Sequence, residues 1–189
     1  MTNSIVLNLI NIANRFGLVV RRHQKAGHYA DFLATLRPVE TEHPLIRIGG
    51  EGDGGYLVPD DLDGIEACFS PGVDKIALFE EDMIARGMRV FQIDASVEES
   101  PLKHERNQFE RKFLGIVSRN HFITLDDWVK EKAGATSGDL LLQMDIEGAE
   151  WLTLAQVSEE TLKRFRVIVP VAQRSLIDSQ ACLGPASCA

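Results

Sequence analysis

Long apolar runs, surplus positive charge and paired cysteines are what this 189-residue chain lacks. Its three cysteines, Cys68, Cys182 and Cys188, are odd in number and contain no C-x-x-C. That supports neither a zinc site nor a disulfide framework, and it fits a reducing compartment. Lys and Arg number 20 against 28 Asp and Glu, for a formal net charge of −8. A surface of that sign repels a phosphate backbone, so nucleic acid is not expected as a partner. The small basic cluster Arg21, Arg22, His23 and Lys25 reads as a solvated helix end. The most apolar terminal stretch, Ile5 to Val20, is interrupted by Asn8, Asn11, Asn14 and Arg15, with its basic residues after it. A secretory leader has them before, and a spanning helix needs roughly 20 nearly uninterrupted apolar residues. The expectation is a cytoplasmic chain with no membrane span. Phosphate-binding motifs are missing too. The run Gly49–Gly50–Glu51–Gly52–Asp53–Gly54–Gly55 has no P-loop lysine, and Ser70–Pro71–Gly72–Val73–Asp74 has a single glycine where G-x-G-x-x-G has three.

What is present reads as one α/β domain with a helical leader. Ile5, Leu9, Ile12 and Phe16 recur at helical spacing, and a second helix runs from about Gln24 to Leu36, before Pro38. Residues 1–43 are thus expected to be a helical segment packed on the domain. Leu45–Ile48 and Tyr56–Val58 flank the glycine run as a β-hairpin. Asp53, Asp60, Asp61 and Glu80 read as turn or helix-surface acids. A βαβ unit follows: strand Ala67–Phe69, a turn at Gly72, and a helix from Ile76 to Arg86. That helix has Ile76, Phe79, Met83 and Ile84 inward and Gly87 as its C-cap; strand Val90–Ile93 comes next. Asp94 stands at the tip of the second strand. A glycine turn after one strand and an acid roughly 20 positions on is the arrangement that accommodates a nucleoside and its ribose hydroxyls.

Residues 96–108 read as a polar loop containing His104, a remote candidate for a proton-transfer role, and Phe109–Val117 as a third strand. Thr124 caps a helix, with Asp127 at the third position after it. The run Leu140–Leu141–Leu142–Gln143–Met144 then reads as a strand buried on both faces. It ends in Asp145–Ile146–Glu147–Gly148–Ala149–Glu150. Carboxylates at the carboxyl end of such a strand lie where open α/β sheets bind ligands, and they cost solvation energy unless paired. Helices at Ala149–Val157 and from Ser158, and a strand Val167–Val169, complete the pattern. Residues 171–189 show no period.

The stretches Leu142–Glu150, Ile123–Trp128 and Phe165–Val169, with Gly52–Tyr56 and Phe69–Val73, resemble the FkbM-type family of S-adenosylmethionine-dependent methyltransferases. Asp145–Ile146–Glu147–Gly148–Ala149–Glu150 is the most specific of these. The resemblance covers about residues 44–169. It implies a Rossmann-like domain over 44–170, with a mostly parallel sheet and helices on both faces. It also implies S-adenosylmethionine as cofactor and methyl transfer to an oxygen of a sugar or other small metabolite. By position, Ser70, Pro71 and Gly72 would form the cofactor loop and Asp94 would hold the ribose. Asp145 would face the methionine end or the acceptor, as first choice of base, with Glu147 second. The family's fifth strand usually continues into a segment that Pro170–Gln173 does not match. The chain is therefore expected to lack the last edge strands and to end in an atypical tail, 171–189. Two other readings stand beside this one. Asp145 and Glu147 could hold a divalent cation for a nucleotide-sugar glycosyltransferase, or the chain could be an inactive, truncated cofactor-binding remnant.

Overall fold

The computed structural model describes residues 39–171 apart from residue 53. The expected N-terminal helices and nearly all of the expected tail lie outside the described residues.

Three short strands that are buried along almost their whole length form the centre of the sheet. They are β3 (Ala67–Pro71), β4 (Arg89–Ile93) and β8 (Leu140–Met144). β5 (Asn107–Glu110) and β9 (Phe165–Pro170) flank them. All five run parallel in the order β5-β4-β3-β8-β9. Parallel strands need crossover connections that cover the sheet, which is why the three central ones are mostly apolar rather than alternating. The chain moves outward from β3 to β4 and β5, then returns to place β8 on the other side of β3. The direction of winding therefore reverses between β3 and β8, and the crevice beyond their carboxyl ends is the ligand position of such sheets.

Two cores follow from the two faces. On one face the helix α1 (Leu78–Ala85) packs Phe79 and Met83 against Cys68, Val90 and Leu141. On the other, α2 (Leu125–Ala133) places Trp128 and Val129 against Phe69, Phe91 and Leu142. Phe69 is the centre of this second core. Its ring lies 4.8 Å from that of Trp128, edge to face, and 5.1 Å from that of Phe91. Truncating such a ring removes both its buried area and its aromatic contacts, a loss of about 3–5 kcal/mol.

Helix ends are set locally. Gly87 leaves α1 at φ 91°, with its N–H on the Ile84 carbonyl and the Met88 N–H on the Met83 carbonyl, a Schellman closure that only glycine enters without strain. Thr124 caps α2 through Oγ1, which accepts the Asp127 N–H at 3.2 Å. The expected return bond from Asp127 is relayed by Ser118. Ser118 Oγ accepts the Thr124 N–H and donates to the Asp127 carboxylate. Two short helices, α3 (Glu150–Leu154) and α4 (Glu159–Leu162), fill the β8–β9 crossover. The expected hairpin is present as β1 (Leu45–Ile48) and β2 (Tyr56–Pro59), antiparallel.

Three expectations are corrected. The strand expected over Phe109–Val117 is two pieces, β5 and β6 (Phe113–Leu114), and the latter pairs with β7 (Phe122–Ile123) away from the main sheet. The chain bends at Arg111, and the ammonium of the next residue, Lys112, turns to Glu110 and Glu131. Ile76, expected on the inner face of a helix, precedes α1 and is 64% exposed. Glu80, expected on a helix surface, is buried.

Candidate functional site

The tips of β3, β4 and β8 are fastened to one another, and the fastening defines the crevice. Gly72 follows β3 at φ 91°. Its N–H donates to the Ile93 carbonyl at 3.0 Å. On the other side, the Asp145 N–H reaches the Pro71 carbonyl at 3.4 Å. A β-carbon on residue 72 would lie 2.0 Å from the Asp145 carbonyl oxygen. The glycine is therefore demanded by the approach of the β8 tip as well as by its own backbone angle.

Asp94, at the tip of β4, reaches across the same crevice. Its Oδ2 accepts the Val73 N–H at 2.9 Å, and its Oδ1 accepts both the N–H and the hydroxyl of Ser96, each at 2.6 Å. A carboxylate oxygen has two lone pairs. Oδ1 is thus filled, while Oδ2 keeps one acceptor position. That open acceptor position can take a hydrogen bond from a ligand hydroxyl or N–H. Ser70 and Pro71 are buried, and the Ser70 hydroxyl turns to Glu80 and Gln143 rather than to the crevice rim.

Beyond β8 the chain makes a tight acidic turn. The buried Glu150 carboxylate accepts two backbone N–H groups through one oxygen, from Ile146 at 2.9 Å and Gly148 at 3.2 Å. It is the clip of the turn. Glu147, between those two residues, sits exposed at φ 58°. A glutamate rarely adopts that left-handed conformation, which stores on the order of 1 kcal/mol. Asp145 is half-buried, and the Tyr56 hydroxyl donates to its Oδ2 at 3.3 Å. This bond carries the β1–β2 hairpin to the β8 tip.

The structure therefore brings together Ser70, Pro71, Gly72, Asp94 and Asp145, with Glu147 on the rim. His104 is exposed and accepts the Arg106 N–H through Nδ1 within its own loop. Among the described residues no group of three or more His, Cys, Asp or Glu side chains is gathered as for a metal ion, and no helix is long and apolar enough to cross a membrane. Residues that sequence reasoning passed over are Tyr56, which binds Asp145, and Glu150, which shapes its loop. Gln92 and Gln143 beneath the strand tips were passed over as well, and Glu80 beside them was expected on the helix surface.

Residues 91–182 match the model of the methyltransferase FkbM domain. The match bears out the family resemblance and supports a methyltransferase in general. It takes in Asp94, Asp145 and Glu147 and begins after the Gly72 loop. No curated protein and no solved structure matches the chain.

Proposed function

From the FkbM methyltransferase domain as premise, we propose that this chain binds S-adenosylmethionine in the crevice of β3, β4 and β8 and methylates an oxygen of a small, sugar-like acceptor. The observation that carries the cofactor reading is the convergence of Gly72, Asp94 and Asp145 on one crevice, with an acceptor position left on Asp94 Oδ2. The cofactor loop is the backbone of Ser70 to Val73, and Asp94 holds the ribose by accepting from its hydroxyls. The buried Ser70 and Pro71 act by setting the course of that backbone.

The cofactor supplies an electrophilic methyl group on a sulfonium. The protein's own part is alignment and proton removal. Asp145 takes the proton of the acceptor hydroxyl as its oxygen becomes a nucleophile. The Tyr56 hydroxyl fixes the orientation of that carboxylate. Glu147 stands second, on the rim where an acceptor arrives. The sugar-like acceptor class rests on the family likeness alone. The catalytic domain on this reading is residues 44–170, and its setting is cytoplasmic, in keeping with an acidic chain whose Cys68 is a free, buried thiol.

The test is transfer of an isotope-labelled methyl group from S-adenosylmethionine to a panel of sugars, with Asp145→Asn and Glu147→Gln as controls. Label on oxygen, lost in Asp145→Asn, supports the assignment. Label on nitrogen or carbon, or transfer indifferent to Asp145, contradicts it.

A further inference from the structure

Each of the three central strands carries one buried polar residue, in its fourth position: Ser70 in β3, Gln92 in β4 and Gln143 in β8. Ser70 and Gln92 are direct neighbours in the ladder. Glu80 of α1 enters this row from the helix side. The hydrogen bonds run in one direction. Asn107 Nδ2 donates to Ser100 Oγ at 3.2 Å, and Ser100 donates to Gln92 Oε1 at 2.6 Å. With its oxygen so occupied, Gln92 turns its amide N–H to Glu80. Ser70 Oγ then stands 2.5 Å from Glu80 Oε1 and 2.9 Å from Gln143 Oε1.

Ser70 has one hydroxyl proton and faces two oxygens. If Glu80 were ionised, that proton would serve Glu80 and leave the buried Gln143 oxygen without the Ser70 donor. If Glu80 is the neutral acid, it donates to Ser70, Ser70 donates to Gln143, and the Ser70, Gln92 and Gln143 oxygens each have a donor. We propose that Glu80 is a positioning residue kept as the neutral acid at neutral pH, the link in a one-way hydrogen-bond chain across β4, β3 and β8 that holds the Ser70–Val73 loop for the cofactor. The second half of this rests on the cofactor reading above. Ionisation of Glu80 breaks the chain at Ser70, two residues before Gly72, and so couples cofactor binding to pH.

The groups facing Glu80 agree. From β3 come Ser70 and Cys68, from β4 Gln92, from β8 Gln143, and from its own helix Glu81. Asp82, next along the helix, is engaged by the Gly49 N–H. Burial first, and the Glu81 charge in lesser part, push the Glu80 carboxyl up, against hydrogen bonds from Ser70, from its own backbone N–H and from Gln92 that lower it. Among the described residues, no lysine or arginine belongs to the groups acting on it.

The experiment is carbon-13-edited infrared spectroscopy of the full chain at neutral pH, with Glu80→Gln as reference, alongside titration with S-adenosylmethionine across pH. A protonated-carboxyl band present in the wild type and absent in Glu80→Gln supports the neutral acid, and its absence from the wild type overturns it. Affinity that declines as pH rises in the wild type but not in Glu80→Gln supports the positioning role. So does an affinity loss of about tenfold or more in Glu80→Ala that Glu80→Gln recovers. The same alkaline decline in Glu80→Gln overturns the role. A wild type with the band but no affinity at any pH refutes the cofactor reading, and the coupling with it, while leaving the neutral acid established.

Discussion

The backbone N–H of Val73 donates to Asp94 Oδ2 at 2.9 Å, joining the tips of β3 and β4. Asp94 therefore has two tasks, closing the loop after β3 and offering its remaining acceptor position to a ligand. Asp94→Asn puts an amide donor against one of the groups that now donate to it. The expected cost is about 1–3 kcal/mol of stability, with a loss of at least about tenfold in affinity for S-adenosylmethionine. Thermal melts and calorimetry of the same sample separate the two effects.

Gly72→Ala is expected to be among the most damaging single changes. It combines a left-handed backbone with a β-carbon 2.0 Å from the Asp145 carbonyl oxygen. A cost of about 3 kcal/mol or more follows, because neither the strain nor the overlap is relieved without parting β3 from β8. Denaturant unfolding measures it. A variant as stable as the wild type would refute the close approach of the two tips.

Glu150→Ala is expected to cost about 2–4 kcal/mol, since it leaves the Ile146 and Gly148 N–H groups without their shared acceptor. Glu150→Gln keeps an acceptor oxygen and should lose less than half as much. Urea midpoints of the two variants give the ratio. Methyl transfer should fall in both, because the same clip shapes the backbone beside Asp145.

Much of this frame is legible in the sequence, for physical reasons that differ from element to element. Leu140–Met144 declares itself because a strand covered on both faces has no need of polar alternation. The Schellman glycine after α1 and the Thr124 cap are local devices, readable from a few residues. Asp94 is legible because the βαβ unit fixes its distance from Gly72. Glu80 is not, because Glu80–Glu81–Asp82 reads as a solvated helix face and its burial is settled by partners on three strands. The available signal was the polar residue repeated in the fourth position of three apolar strands. The break between β5 and β6 was equally hidden, since it falls beside Glu110, which Lys132 meets from across the fold. Tyr56 reaches Asp145 from 89 residues away in the chain, a distance that no local pattern spans.

Glu147→Gly is expected to relieve the left-handed strain at φ 58°. Because glycine also loses more chain entropy on folding, the net gain should be no more than about 1 kcal/mol. Methyl transfer should fall if the carboxylate serves the acceptor. Stability raised or unchanged with activity reduced is the expected pairing, from melts and initial rates. Activity unchanged would remove Glu147 from the site.

On the acid side, stability should weaken through Glu110. Partial burial raises its carboxyl, but hydrogen bonds from Lys112 and Lys132 outweigh this and hold it below the ordinary value of 4.5. A lowered folded value means that the stabilisation is complete above about 4.5 and is lost as pH falls through the folded value. Glu110→Gln should flatten that limb of the stability–pH curve relative to the wild type. An unchanged slope would show that the lysine pairing contributes nothing there.

Calorimetric titration of the full chain with S-adenosylmethionine, and with S-adenosylhomocysteine, tests the central claim most directly, with Asp94→Ala as its control. Saturable one-site binding of both, lost in a folded Asp94→Ala, is the predicted result. A folded wild type that binds neither, or an Asp94→Ala variant that binds them as the wild type does, would contradict a cofactor held between β3, β4 and β8.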